Sequence, residues 1–183
     1  VDVTVDQFTG RFAALADRFP STPNLAAVLD SMRIEQIPAG TRLIKYDGES
    51  SKLYLVWEGR LSASIEDESG KILLGHIAPG EWIGEVTLIE PGPATASVDA
   101  DEDSVLLSMS YEDFSNLRTN QPAAAGALMH ALSLNLVDRL RAYGQRAAHE
   151  ISSGQYAMEE LAPQERTALI TLISRLMGIR GAK

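Results

Sequence analysis

The sequence predicts a mainly β fold with flanking helices, a jelly-roll or double-stranded β-helix type of β-roll with about eight strands. Three observations carry this reading. From Ile34 to Ser110 apolar and polar residues alternate in runs of at most seven residues. Gly- and Pro-bearing turn signals separate those runs, and recur every 8 to 12 residues along much of the stretch. On either side of it, the apolar spacing changes to three and four. Short alternating runs between regular turn signals are the mark of a sandwich, roll or barrel, and the change of period marks flanking helices.

Taken in order, Val5, Phe8, Phe12, Leu15 and Ala16 share one helical face, which predicts a helix over 5–18. Pro20 to Pro23 ends it, Ser21 or Thr22 supplies a cap, and a second short helix is expected over 24–33. The strands are expected at 34–37, 42–46, 52–58, 60–65, 72–77, 82–83, 95–100 and 105–110, with a hairpin tip at 67–70. Residues 111–119 return to a helical pattern. Asn120-Gln121-Pro122 starts a longer helix, because a proline in the first turn loses no hydrogen bond. On it, Leu128, Leu132, Leu136 and Leu140 recur every fourth residue, either as core or as a face for a second copy. A polar linker is expected over 147–156 and an amphipathic helix over 163–177. This gives three regions: 1–33 helical, 34–119 the roll, and 120–183 helical again.

The stretch from Gly80 to Ala100 holds the candidate site. Pro79-Gly80 turns the chain, Gly84 permits close backbone approach, and a short helix-like run follows through Val86, Thr87, Leu88 and Ile89. Backbone N–H groups at Val86 and Thr87 suit an anion, while the Glu85 carboxylate suits a sugar hydroxyl. After the Pro91-Gly92-Pro93 break, Ala94 to Val98 begins a strand on which Thr95 and Ser97 carry hydroxyls. Such a layout fits a phosphorylated sugar.

The order Gly80-x-x-Ile83-Gly84-Glu85-x-x-Leu88, then Pro93 and Thr95-Ala96-Ser97-Val98, resembles the phosphate-binding cassette of the cyclic-nucleotide-binding domain family. That family includes the catabolite activator protein and the regulatory subunits of cAMP-dependent kinase. Ile37-Pro38-Ala39-Gly40-Thr41, Tyr46-Asp47-Gly48-Glu49, Leu53-Tyr54-Leu55-Val56 and Glu58-Gly59-Arg60-Leu61 extend the likeness, so that it covers roughly residues 25 to 145. The resemblance implies a regulatory module, cAMP or cGMP as the ligand, Glu85 on a ribose hydroxyl, and Gly84, Val86, Thr87, Ala94 and Thr95 around the rest. It also implies a dimer through the long helix. Where the family carries an arginine for the cyclic phosphate, this chain has Ala94. From Leu61 to Leu117 there is one lysine, Lys71, no arginine, and twelve acidic residues. Neutral donors do not replace a bidentate guanidinium–phosphate contact, so weak cyclic-nucleotide binding, a non-standard ligand or no ligand is expected.

Composition narrows the alternatives. The chain has 183 residues, no cysteine and a net charge of −9. Disulfides, thiolate metal sites and thiol catalysis are excluded. Residues 1–119 hold 9 basic and 20 acidic residues, a net −11, which argues against nucleic acid as a partner. No apolar run reaches the ~18 to 20 residues of a membrane span, and no basic-apolar leader is seen, so a cytoplasmic location is expected. His76, His130 and His149 lack metal-ligand spacing, and Ser104, Ser108 and Ser110 have no neighbouring base. The acidic run Asp99 to Asp103 lacks the glycine and terminal glutamate of a calcium loop and reads as a solvated turn. No cofactor, metal or enzymatic activity is expected. The competing expectations are a ligand-free scaffold that self-associates through 122–144 and 163–177, or a regulatory domain of a larger transporter or enzyme.

Overall fold

The structure is a computed structural model and describes residues 3–67, 70–89 and 92–152. Helix α1 (Val5–Arg11) opens on a reciprocal cap. Thr4 Oγ1 accepts from the Gln7 N–H at 3.2 Å, and Gln7 Oε1 accepts from the Thr4 N–H at 2.9 Å. The single helix expected over 5–18 breaks at Phe12, whose φ of −129° and ψ of 56° lie outside the helical region, and α2 (Ala13–Ala16) follows as one turn. The break lets Phe12 turn onto the sheet, where it stacks edge-on to Trp57 with the ring centroids 5.4 Å apart. Helix α3 (Thr22–Asp30) starts at the Ser21 cap and ends three residues before the expected stop.

The strands are β1 (Arg33–Ile37), β2 (Arg42–Ile44), β3 (Lys52–Glu58), β4 (Leu61–Asp67), β5 (Gly70–Ile77), β6 (Trp82–Ile83), β7 (Ser97–Ala100) and β8 (Ser104–Ser110). They form two antiparallel four-stranded sheets, ordered β1-β8-β3-β6 and β2-β7-β4-β5. This is the eight-stranded roll the alternation predicts. Strand β2 stops two residues short of the expected end, and β7 begins two residues late. Helices α4 (Glu85–Ile89), α5 (Tyr111–Asn120) and α6 (Pro122–Ser152) complete the described chain.

Strand β3 reads as one apolar run because both its faces are covered. Leu53 and Leu55 point into a cluster with the helices, among Phe8, Leu25, Val28, Leu107, Met109, Leu128 and Leu132. Tyr54 and Val56 point the other way, between the two sheets, with Ile37, Ile44, Leu61, Ile83, Val98 and Leu106. Burial pushes the Tyr54 phenol up to about 12, with the Glu35 carboxylate adding to the rise.

Helix α6 corrects one expectation and splits another. It continues through Gly144 to Ser152, so the part of the expected linker that falls within the described residues is helical. Along the leucine stripe, Leu128 and Leu132 are fully buried, Leu136 is half-buried and Leu140 is exposed, and beside the stripe Leu134 and Val137 are exposed too. The compact unit that contains the roll ends at Leu132, and from Ser133 the helix belongs to a second unit. The helix expected over 163–177 falls outside the described residues. Among the described residues no helix is long and apolar enough to cross a membrane.

Candidate ligand-binding site

The candidate segment is anchored at both ends. A turn leads into β6, with Glu81 N–H bonded to Ala78 C=O at 3.1 Å and Glu81 Oε2 accepting from Ala78 N–H at 2.7 Å. Gly80 has φ +89°, and the Phe12 ring lies against the position a Cβ would take. Strand β6 pairs with β3, Trp82 opposite Leu55 and Ile83 opposite Tyr54. Trp82 enters the helix-side cluster and Ile83 the cluster between the sheets. Gly84 then adopts φ +82°, and a Cβ there would run into the Lys52 carbonyl oxygen. Only glycine meets both demands.

Glu85 opens α4 and is 4% exposed, Val86 is 50% exposed, Thr87 lies inside the helix, and Leu88 is 3% exposed in the helix-side cluster. On the far side, Pro93 bridges to Glu49. The Ala94 N–H donates to Gly48 C=O at 2.9 Å, and its own carbonyl accepts from Asp47 N–H at 2.9 Å. The Ala94 methyl packs on the cluster between the sheets. Thr95 is exposed, and Ser97 Oγ accepts from Tyr46 N–H at 2.9 Å. The two stretches named from the sequence thus meet one apolar cluster, through Ile83 on one side and Ala94 on the other.

Sequence reasoning missed the exposed apolar end of the β4–β5 hairpin. Strand β4 pairs with β7 as far as Ser64–Ser97, then runs on with β5 alone. Ile65 and Ile72 are paired there, on the face that carries Leu61 and Ile77 deeper in. Ile72 is 50% exposed and Leu74 45%. Three consecutive large apolar residues at 72–74 were the available signal.

The acidic run is not a loose turn. Asp99 pairs with Arg42 Nε at 2.7 Å and Lys71 Nζ at 2.8 Å. The Arg42 hydrogen bond, with Lys71 helping against some desolvation, pulls its carboxyl down to about 2. Asp101 accepts from Ser62 Oγ at 2.7 Å and lies 3.0 Å from His76 Nδ1 and 3.5 Å from Arg60. Asp103 accepts from Ala39 N–H at 2.8 Å. These acids brace strands and loops across the sheet. Among the described residues no cluster of three or more metal-ligating side chains occurs.

With this geometry in place, comparison with known proteins decides the family. The family model described as cyclic nucleotide-binding domain matches residues 34–121. Residues 34–121 are a cyclic nucleotide-binding domain. Over 121 residues, 65% of this chain and 56% of the relative, the chain is 30% identical to the cAMP-activated global transcriptional regulator CRP of Pasteurella multocida. It is 29% identical over 126 residues, 68% of this chain and 39% of the relative, to the Pycsar effector protein XpPycTIR of Xanthomonas perforans. The chain therefore spans about half the length, or less, of these relatives. In fold, it matches the crystal structure of a cyclic nucleotide-binding domain from Methylobacillus flagellatus at a TM-score of 0.70 and 18% identity, covering 80% of this chain and 86% of the other.

Two outcomes follow for the domain. Gly84→Ala is expected to lower stability by about 2 kcal/mol or more in urea denaturation, since it adds a left-handed strain and a backbone clash. Gly126→Ala, in an open position on α6, is the control and should be neutral or stabilising by about 0.5–1 kcal/mol. Asp99 titrates below its unfolded value, so its contribution is fully present above pH ~4 and is lost as pH falls towards 2. Asp99→Asn should cost about 1 kcal/mol at pH 7, allowing for solvent screening, and the difference from the parent should close between pH 4 and 2.

Proposed function

We propose that the chain is a non-enzymatic regulatory module in which Gly84, Glu85, Val86, Thr87, Ala94 and Thr95 meet a ligand and α4 reports its presence. Leu88 carries this reading. It sits in the cluster that holds Phe8, Leu25, Ala124 and Leu128, so a ligand that moved α4 would repack the N-terminal helices and the start of α6. A ligand shifts such an equilibrium only by binding one arrangement better than the other. The Pasteurella relative is cAMP-activated by name, which supports a cyclic nucleotide as the ligand class. The methyl of Ala94 supplies no charge to a cyclic phosphate, so the affinity for cAMP and cGMP is weak. Calorimetry of the parent and of Ala94→Arg tests this. The parent should bind with Kd above ~100 µM, weaker than −5.5 kcal/mol, and the arginine should gain at least ~10-fold, as a charged hydrogen-bonded contact of about 1.5 kcal/mol would give. No gain would detach residue 94 from the phosphate position.

The exposed Leu134, Val137 and Leu140 favour a second element of the reading, self-association through the distal part of α6. Their spacing of three residues makes a local helix contact rather than a long zipper. Light scattering should give the mass of a dimer for the parent and of a monomer for Val137→Glu. A monomeric parent removes this element and leaves the ligand reading untouched.

A further inference from the structure

Taking the 84–95 segment as the ligand site, we propose that Lys52 is the cation that meets the ligand's anionic group, giving up the Glu35 carboxylate that holds it in the free chain. The proposal rests on the reading above and assigns the charge that Ala94 does not supply.

Position is the first ground. Gly84 lies against the β3 backbone at Lys52, where a Cβ would meet the Lys52 carbonyl oxygen. Tyr54, two residues along β3, is opposite Ile83 and faces the cluster between the sheets, which Ala94 also touches. Alternate residues of a strand share a face, so Lys52 points to that side as well. Its contacts agree. Nζ lies 6.0 Å from the centre of the Tyr54 ring and 2.7 Å from Glu35 Oε1. Glu35 in turn is two residues from Ile37, which belongs to the same cluster. The ammonium thus stands at the end of the roll interior, on the side shared by Ile83 and Ala94. The Lys52 side chain is 42% exposed and that of Glu35 27%, so a solute reaches both.

The placement of the other cations is the second ground. Asp99 lies between Val98 and Ala100, which face inward, so Asp99 faces outward and keeps Arg42 and Lys71 there. Arg60 is on Asp101. Arg33, at the start of β1, turns to Asp113 at 3.3 Å and is largely exposed. Among these ion-paired cations of the two sheets, Lys52 is the one whose partner faces the interior.

Exchangeability is the third ground. Ser108 is buried, and its Oγ donates to the same Glu35 oxygen at 2.5 Å. Burial opposes charge on Glu35, but the bonds from Lys52 and Ser108 outweigh it and hold the carboxyl below its ordinary range. Glu35 is therefore an ionised competitor for any incoming anion. When Lys52 leaves, the carboxylate keeps the Ser108 bond and its access to water, so it is not stranded. An ammonium has three donors on a flexible four-carbon stem. Neighbouring strands lie about 4.8 Å apart, so a swing from the β1 side of β3 to the β6 side is within its reach. Exchanging one anion for another gains little, in keeping with weak binding. An uncharged ligand leaves the pair intact.

The experiment is calorimetry on the full chain with cAMP and adenosine. It compares the parent, Glu35→Gln, Lys52→Met, the double variant and Ala94→Arg, with thermal melting confirming that each is folded. Glu35→Gln should bind cAMP about fivefold or more tightly than the parent, because the competitor has lost its charge. Lys52→Met should cancel that gain in the double variant. Adenosine, which carries no anion, should bind the parent and the Lys52 and Glu35 variants alike. A gain that persists in the double variant comes from removing a negative charge alone and overturns the proposal. Glu35→Gln binding cAMP no more tightly than the parent also overturns it, and a gain in Ala94→Arg then leaves the site reading standing. If no chain binds cAMP, Ala94→Arg included, the site reading falls and the assignment of Lys52 falls with it.

Discussion

The contact on which the rest depends is the close approach of Gly84 to the β3 backbone at Lys52. It fixes the point where β6 ends and α4 begins. With the backbone held there, Trp82 and Ile83 turn to opposite sides of one strand and enter different apolar clusters. Leu88, four residues on, returns to the helix-side cluster. A segment of seven residues is thus pinned into both cores of the molecule. Since interiors are packed at near-crystalline density, a shift at the joint is felt on both sides rather than absorbed locally. A ligand module needs this property, and here a glycine and three apolar side chains provide it.

The acidity of the roll has a structural use. Asp99 and Asp101 hold Arg42, Lys71, Arg60 and His76, residues from β2, β5, the β3–β4 turn and β5 again. Two short stretches of β7 and its exit therefore tie together a sheet whose edge strand β2 has three residues. Ser62 and Ala39 donate further bonds to the same run of acids. Single surface pairs contribute little, but a network anchored on a pair of carboxylates is more than a count of pairs.

Most of the roll was legible because its strands follow local rules. Turn residues and alternation placed β3 and β6 to the residue, and Ser21 announced α3. What local rules missed was decided by distant partners. Phe12 leaves the helical conformation to meet Trp57, and nothing within a helical window reveals that. The run Asp99–Asp103 looks free in sequence because its cations stand 57 and 28 positions away. Helix α6 passes Gly144, whose cost in a helix interior is only about 1 kcal/mol against Ala and which neighbours easily override. In the candidate site, the order of Gly84, Glu85 and Ala94 was plain from the motif. The burial of Glu85 and the apolar surface at Ile72 and Leu74 depend on which strands become neighbours, and this emerges only from the fold.

Strand β5 lies at the end of its sheet, and Ile72, Leu73 and Leu74 stand exposed along it. Unpaired backbone edges with apolar side chains are templates for endless strand addition between identical chains. The register irregularity between Ala63 and Ser64 distorts that edge, and Lys71 and His76 flank the apolar triplet. A net charge of −9 adds mutual repulsion between copies. Solubility is therefore most precarious where that repulsion is weakest. Near the isoelectric point of about 4.8, or in concentrated salt, this strand is where fibrous self-addition would begin.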